Sequence, residues 1–175
     1  MKILNFKKLS STNEKAKALS RKKIVSWLIL SAEEQTAGYG KKKVFWFSPQ
    51  GGLYFSIILP KSKVEDLQTL TILAAFIVAK VIKENFNLEP LIKLPNDVLI
   101  SGKKVCGILT ENVIGQEIKS SVIGIGLNTN IDKFPKELAK TATSLKIEFG
   151  KKVDNKKILE QIIEGLKEQL RTISE

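Results

Sequence analysis

From Ile3 to Leu9 apolar and polar residues alternate, which predicts a first β-strand. Ser10-Ser11-Thr12-Asn13 follows, with side-chain oxygens suited to a helix N-cap and Thr12 as the expected cap. Glu14 falls in the first turn of a short helix reaching about Leu19. Ile24 to Leu30 is nearly all apolar, the pattern of a strand covered on both faces. Ser31 to Pro49 carries neither a strand nor a helix period. A strand over Leu53–Leu59 is then ended by Pro60, and Leu67, Leu70, Leu73, Ala74, Ile77 and Val81 recur at helical spacing from about Glu65 to Asn85. Val98–Ile100 and Val105–Leu109 are short apolar runs around Ser101-Gly102, which predicts a β-hairpin entered at Pro95. Val113 to Glu117 is expected to turn the chain into a strand over Ser121–Gly126. Residues 131–145 are expected to form a loop with a short helix after Pro135. Ile158, Ile162, Leu166 and Leu170 mark an amphipathic helix over Lys156–Thr172. The irregular alternation of strands and helices, with a hairpin that demands antiparallel pairing, predicts an α+β fold. Its expected form is a mixed, largely antiparallel sheet covered by helices.

Composition narrows the chemistry. A chain of 175 residues is expected to form a single domain over residues 1–175 and to bury about 70 % of its unfolded surface. It has no His and one Cys, which excludes His-based triads, His metal sites, thiolate zinc sites and intramolecular disulfides. Catalysis would have to use Lys, Arg, Asp, Glu, Tyr, backbone amides or a metal arriving with the substrate. The single Cys, the lack of a signal peptide at Met1-Lys2 and the lack of a membrane-length apolar run predict a cytoplasmic protein without membrane contact. The net charge of +11 suits a polyanionic partner. That charge is almost all Lys, spread along the chain with only Arg21 and Arg171 as arginines, and it forms no nucleic-acid reading module. Lys/Glu-rich, Ile-rich usage is also what a heat-adapted protein shows.

The predicted hairpin carries an unusual polar load. Asn96 and Asp97 precede one strand, Lys103 and Lys104 the other, so pairing brings an amide, a carboxylate and ammoniums toward one site above an apolar floor. That combination suits a ligand with a carboxylate or phosphate; a solvated surface pair is the alternative. The unpatterned stretch before Pro49 holds Gln35-Thr36-Ala37-Gly38-Tyr39-Gly40, then Lys41-Lys42-Lys43, then Phe45-Trp46-Phe47. Glycines that let amides approach an anion, three lysines and an aromatic cluster predict a phosphate-and-ring-binding loop. It is not a P-loop, because no Gly-x-x-x-x-Gly-Lys-Ser/Thr occurs. Gly124-Ile125-Gly126 lacks the third glycine and the following helix of a dinucleotide fingerprint, but a glycine-flanked strand end presenting Asn128 to a ligand fits. Cys106 reads as a buried strand residue.

In chain order these blocks resemble the catalytic domain of biotin protein ligases (biotin–[acetyl-CoA-carboxylase] ligases). The blocks are Ser11-Thr12-Asn13, Gln35 to Gly40, Trp46-Phe47-Ser48-Pro49, Gly52-Leu53-Tyr54, Lys93-Leu94-Pro95-Asn96-Asp97, Lys104 to Glu111, and Gly124 to Asn128. The resemblance covers residues from about 10 to 130 and implies the biotin/lipoate ligase (class II synthetase-like) catalytic fold. It also implies a two-step reaction: biotin and MgATP give biotinyl-5′-AMP and pyrophosphate, and the biotinyl group passes to a lysine of a biotin carboxyl carrier domain. Lys104 is implied as the cation at the carboxylate–phosphate junction. Lys93, Lys41 and Lys42 would neutralise phosphate, and Asn96 and Asp97 would order the phosphate end, with Asp97 also orienting the carrier lysine. Ser11, Thr12, Asn13 and Gln35 match positions around the biotin ring, with Gly38, Tyr39 and Gly107-Ile108-Leu109 lining the pocket. Trp46 and Asn128 match positions near the adenosine. Mg²⁺ is expected with ATP and no protein-held metal is implied. A homodimer is left open.

The chain departs from the resemblance at three places. The family's arginine-rich Gly-Arg-Gly-Arg-x-Gly-Arg loop reads Gly38-Tyr39-Gly40-Lys41-Lys42-Lys43-Val44, and lysine cannot make arginine's two-pronged contact, so weaker retention of the adenylate is expected. Leu94 stands where the family usually has Trp. The chain reads as stopping after one terminal helix, without the family's small C-terminal β-barrel. The few residues before Ser11 leave no room for a helix-turn-helix, which predicts no sequence-specific DNA role. A lipoate or octanoate ligase is the nearest alternative, but its Arg-Arg and Gly-Gly-Gly signature is missing. A catalytically weak biotin-binding module is the other.

Overall fold

The computed structural model describes residues 2–22, 27–60, 66–115 and 118–174. The strands β1 (Lys2–Leu9), β2 (Leu28–Gln35), β3 (Leu53–Pro60), β4 (Leu91–Lys93), β5 (Asp97–Ile100), β6 (Lys103–Ile114) and β7 (Ile118–Leu127) form one seven-stranded sheet. Its order is β1-β2-β3-β7-β6-β5-β4. Only β1 and β2 run parallel, joined by helix α1 (Thr12–Lys22); every other neighbour is antiparallel. This is the predicted mixed, largely antiparallel sheet.

The strand period of two assigns the faces. Ile29, Phe55, Ile57, Leu59, Ile108, Ile123, Ile125 and Leu127 point to one side, where they meet α2 (Leu67–Phe86) and α4 (Asn155–Ser174) in the main core. Both helices fall where their apolar spacing predicts, and Ile158, Ile162, Leu166 and Leu170 are all buried. Asp66 caps α2 by accepting from the amides of Gln68 and Thr69 at 3.0 Å. On the other side, Ala16 and Leu19 of α1 pack over Leu28, Leu30, Ile58 and Val122 in a smaller cluster. That helix covers only part of its face and leaves the rest open as a pocket.

Several elements differ from the sequence reading. The strand predicted over Ile24–Leu30 begins at Leu28 and extends to Gln35, because Lys8 and Leu9 of β1 pair with Glu34 and Gln35. Ile24, Val25 and Ser26 lie outside the described residues. β6 runs through Val113, where a turn was predicted, because its polar residues have partners: Thr110 bonds Thr71, Glu111 binds Lys17, and Asn112 accepts from Ser121. β4 is a short edge strand that the sequence pattern missed. After Pro135 the chain makes turns rather than a helix, and the short helix α3 (Leu145–Phe149) comes later, capped by Ser144. The α1 cap is Ser11, whose hydroxyl accepts from the Glu14 amide at 3.5 Å. That leaves Thr12 inside the helix and facing Gln35. Ser101 and Gly102, both with positive φ (51° and 76°), close the predicted hairpin.

Candidate active site

The pocket opens on the α1 side of the sheet, with a volume of about 450 Å³. Strand alternation turns Ile123, Ile125 and Leu127 into the core, so Gly124 and Gly126 face the pocket beside Gly107 and Leu109 of β6. These glycines make room. A Cβ on Gly124 would fall 2.1 Å from Asn13 Oδ1, and one on Gly126 would fall 2.4 Å from Trp46 Nε1. A Cβ on Gly107 would lie 3.1 Å from the Trp46 ring and 3.2 Å from Lys104 Cε.

The side chains above β7 give the site an order along its floor. Over Gly124 lies a polar end, where the Thr12 amide and hydroxyl both donate to Gln35 Oε1, at 2.8 and 3.1 Å. Gln35 Nε2 donates to Ser48 at 3.0 Å, and the Ser56 hydroxyl sits 2.6 Å from Asn13 Oδ1. Over Gly126 and Gly107 lie Trp46 and the Lys104 ammonium, which is 5.0 Å from the ring centroid. Asp97 Oδ1 is 2.6 Å from Lys104 Nζ and accepts from Asn96 at 3.0 Å. Beyond them, Asn128 is buried with its Oδ1 unpartnered, and Phe134, Leu138, Thr141 and Ala142 close the wall. This wall is hung on β6: the Lys104 amide donates to Thr141 O (2.8 Å) and the Thr143 amide donates to Lys104 O (3.0 Å). At about 3.3 Å per residue, Gly124 to Asn128 is roughly 13 Å of floor. Such a groove fits a long ligand with a polar head, an apolar middle and an anionic group at Lys104.

A model of the Biotin/lipoate A/B protein ligase family matches residues 6–128. The chain belongs to that family. The bifunctional ligase/repressor BirA of Bacillus subtilis is 39% identical over 160 residues, 89% of this chain and 49% of its own. The biotin–[acetyl-CoA-carboxylase] ligase of Paracoccus denitrificans is 32% identical over 109 residues, 59% of this chain and 44% of its own. The chain thus spans about half the length, or less, of these curated relatives. The biotin protein ligase of Aquifex aeolicus, solved with biotin and ATP, superposes with a TM-score of 0.89 at 31% identity over 99% of this chain and 72% of that one.

Within the family domain, most residues singled out from the sequence meet at one pocket. Ser11, Thr12, Asn13, Gln35, Tyr39, Lys41, Trp46, Asn96, Asp97, Lys104, Gly107, Ile108, Leu109 and Asn128 line it. Three do not. Gly38 sits behind the wall, where a Cβ would meet Ser48 Oγ at 2.6 Å. Lys42 is exposed in the 3₁₀ turn Lys41–Lys43. Lys93 is exposed on β4, paired with Asp97 in the sheet but outside the pocket lining. Cys106 is fully buried as predicted, and burial pushes its thiol pKa up. Sequence reasoning missed the wall from Phe134 to Ala142, which carries no chemical motif. It also missed Lys17, two of whose partners, Tyr39 and Glu111, lie far along the chain. Among the described residues no group of three or more His, Cys, Asp or Glu could hold a metal, and no helix is long and apolar enough to cross a membrane.

Proposed function

We propose that residues 1–175 form a single catalytic domain that activates biotin with MgATP and passes the biotinyl group to a lysine of a biotin carrier domain. The observation that carries this reading is the position of the Lys104–Asp97 pair. It lies midway along the groove, between the Thr12–Gln35 end and the Asn128 end. Likeness over 99% of the chain to a ligase solved with biotin and ATP supports it. Biotin would lie with its ring at the polar end, its chain over Gly126 and Trp46, and its carboxylate at Lys104. A carboxylate oxygen then attacks the α-phosphorus of ATP, the bond to pyrophosphate breaks, and Mg²⁺ entering with the triphosphate neutralises charge. Lys104 offsets the repulsion between two anions and stabilises the charge of the in-line transition state. In the second step the carrier lysine amine attacks the acyl carbon, loses a proton, and AMP leaves, with Asp97 orienting that amine. Lys41 would hold the adenylate at the rim, and Lys93 would act from outside the pocket on incoming phosphate or carrier. The reading also includes a cytoplasmic setting and a basic surface suited to an acidic carrier domain.

The test is pyrophosphate release from MgATP with biotin, lipoate or octanoate offered separately, followed by transfer to an added carrier domain. Release with biotin alone is expected. Release with lipoate alone would overturn the choice of acid, and biotin binding without release would leave a binding module.

A further inference from the structure

Tyr39 stands in the glycine loop beside a compact cluster of charges that the proposed chemistry does not use. Its hydroxyl lies 2.5 Å from Glu14 Oε1, 2.9 Å from Glu111 Oε2 and 3.0 Å from Lys17 Nζ. Lys17, only 8% exposed, bonds Glu111 at 2.9 Å and Glu14 at 3.0 Å. Lys43, from the same loop, reaches Glu14 at 3.2 Å and lies 3.5 Å from the centre of the Tyr39 ring. Two carboxylates and two ammoniums balance, and the phenol is the neutral hub that donates to one carboxylate while accepting from Lys17. Asn13, on the pocket wall, donates to Glu111 at 3.0 Å and closes the link to the site.

The loop needs such a tie. It folds back on itself through Trp46 N–H to Gly38 O (2.9 Å) and Gly40 N–H to Val44 O (2.8 Å). At its tip, however, Lys42 and Lys43 adopt positive φ (56° and 60°), and residues 41–45 are exposed. Positive φ disfavours non-glycine residues, so the tip's own bonds, Lys43 N–H to Gly40 O (3.1 Å) and Val44 N–H to Lys41 O (3.2 Å), are offset by backbone strain. We propose that the Tyr39 hydroxyl, gripped by Glu14, Lys17 and Glu111, is a positioning anchor. It holds the Gly38–Lys43 loop over the pocket before any ligand arrives and slows the departure of the bound acid. The identity of that acid rests on the function proposed above; the anchor itself does not.

The experiment compares wild type, Tyr39→Phe, Lys17→Met and the double variant. Two rates are read: trypsin cleavage after Lys41–Lys43 without ligand, and biotin dissociation. Tyr39→Phe keeps the ring under Lys43 and removes only the hydroxyl, so a far-UV spectrum like wild type is expected. A partly buried hydrogen bond to charged groups sets the scale at about tenfold or more faster loop cleavage, with cleavage elsewhere unchanged. Biotin is expected to leave faster by a similar factor. The double variant should add little to either single one, because both break the same cluster. Loop cleavage at the wild-type rate in Tyr39→Phe, or fully additive effects, would overturn the anchor. Faster cleavage with unchanged biotin release would overturn its role in retention. Failure of wild type to bind biotin would sink the proposed function instead, and the cleavage rates would still decide the anchor.

Discussion

Removing the Lys104 ammonium is the perturbation whose cost can be worked most directly. Lys104→Ala takes away a cation 2.6 Å from Asp97 and leaves that carboxylate facing the groove without its counter-charge. Unit charges about 4 Å apart interact by about 4 kcal/mol at an effective dielectric near 20. Loss of one preorganised donor to developing charge usually costs about 3 kcal/mol, a rate factor of roughly 10²–10³. The two routes agree, so adenylation with biotin should slow by about 10²–10³. Stability should change little. The pair is partly exposed (30% and 23%), which limits its worth to about 1 kcal/mol. The main chain at Lys104 stays tied to Thr141 and Thr143 through its own amide and carbonyl. The assay is pyrophosphate release at saturating ATP and biotin, with a thermal melt of the same sample. A variant that melts like wild type and adenylates within about tenfold of it would refute the reasoning.

Other perturbations test separate links. Gly124→Ala would drive a Cβ into Asn13, which is buried and bonded to Ser56 and Glu111, so a loss of about 1–3 kcal/mol in urea unfolding is expected. Lys41→Arg should reduce leakage of adenylate into solvent, measured as free biotinyl-AMP per carrier biotinylated, because arginine can grip phosphate in two places. The anchor cluster predicts the acid limb of stability. The hydrogen bond from Tyr39 is the largest influence holding Glu14 down at about 2. Burial would raise Glu111, but Lys17, Asn13 and Tyr39 outweigh it and lower its pKa. Carboxylates depressed in the folded state stabilise it above their unfolded pKa near 4.5, and that contribution is lost as pH falls toward about 2. Melting temperature should therefore fall across that window, and less steeply in Glu14→Gln; equal slopes would count against the cluster.

Helical apolar spacing located α2 and α4, alternation located β1, and short apolar runs bounded by Gly, Ser or Pro located β3 and the β5–β6 hairpin. Composition removed histidine and thiolate chemistry, and the polar load on the hairpin pointed to Asp97 and Lys104 as neighbours. The limits of β2 and β6 could not be read that way. Their ends are polar residues whose partners lie far off in the sequence: Glu111 with Lys17, Thr110 with Thr71, Glu34 with Lys8. A one-dimensional pattern records polarity but not whether a partner is present to satisfy it in the interior. The tertiary structure alone decided that Gly124 and Gly126 form a floor rather than a weak strand end. Strand pairing fixes which face they take, and the space beside them is filled by Asn13 and Trp46 from distant segments. It also decided that Lys93 and Lys42 stand outside the pocket while Tyr39 ties a loop to α1 and β6, because a side chain's reach depends on where the sheet places its neighbours.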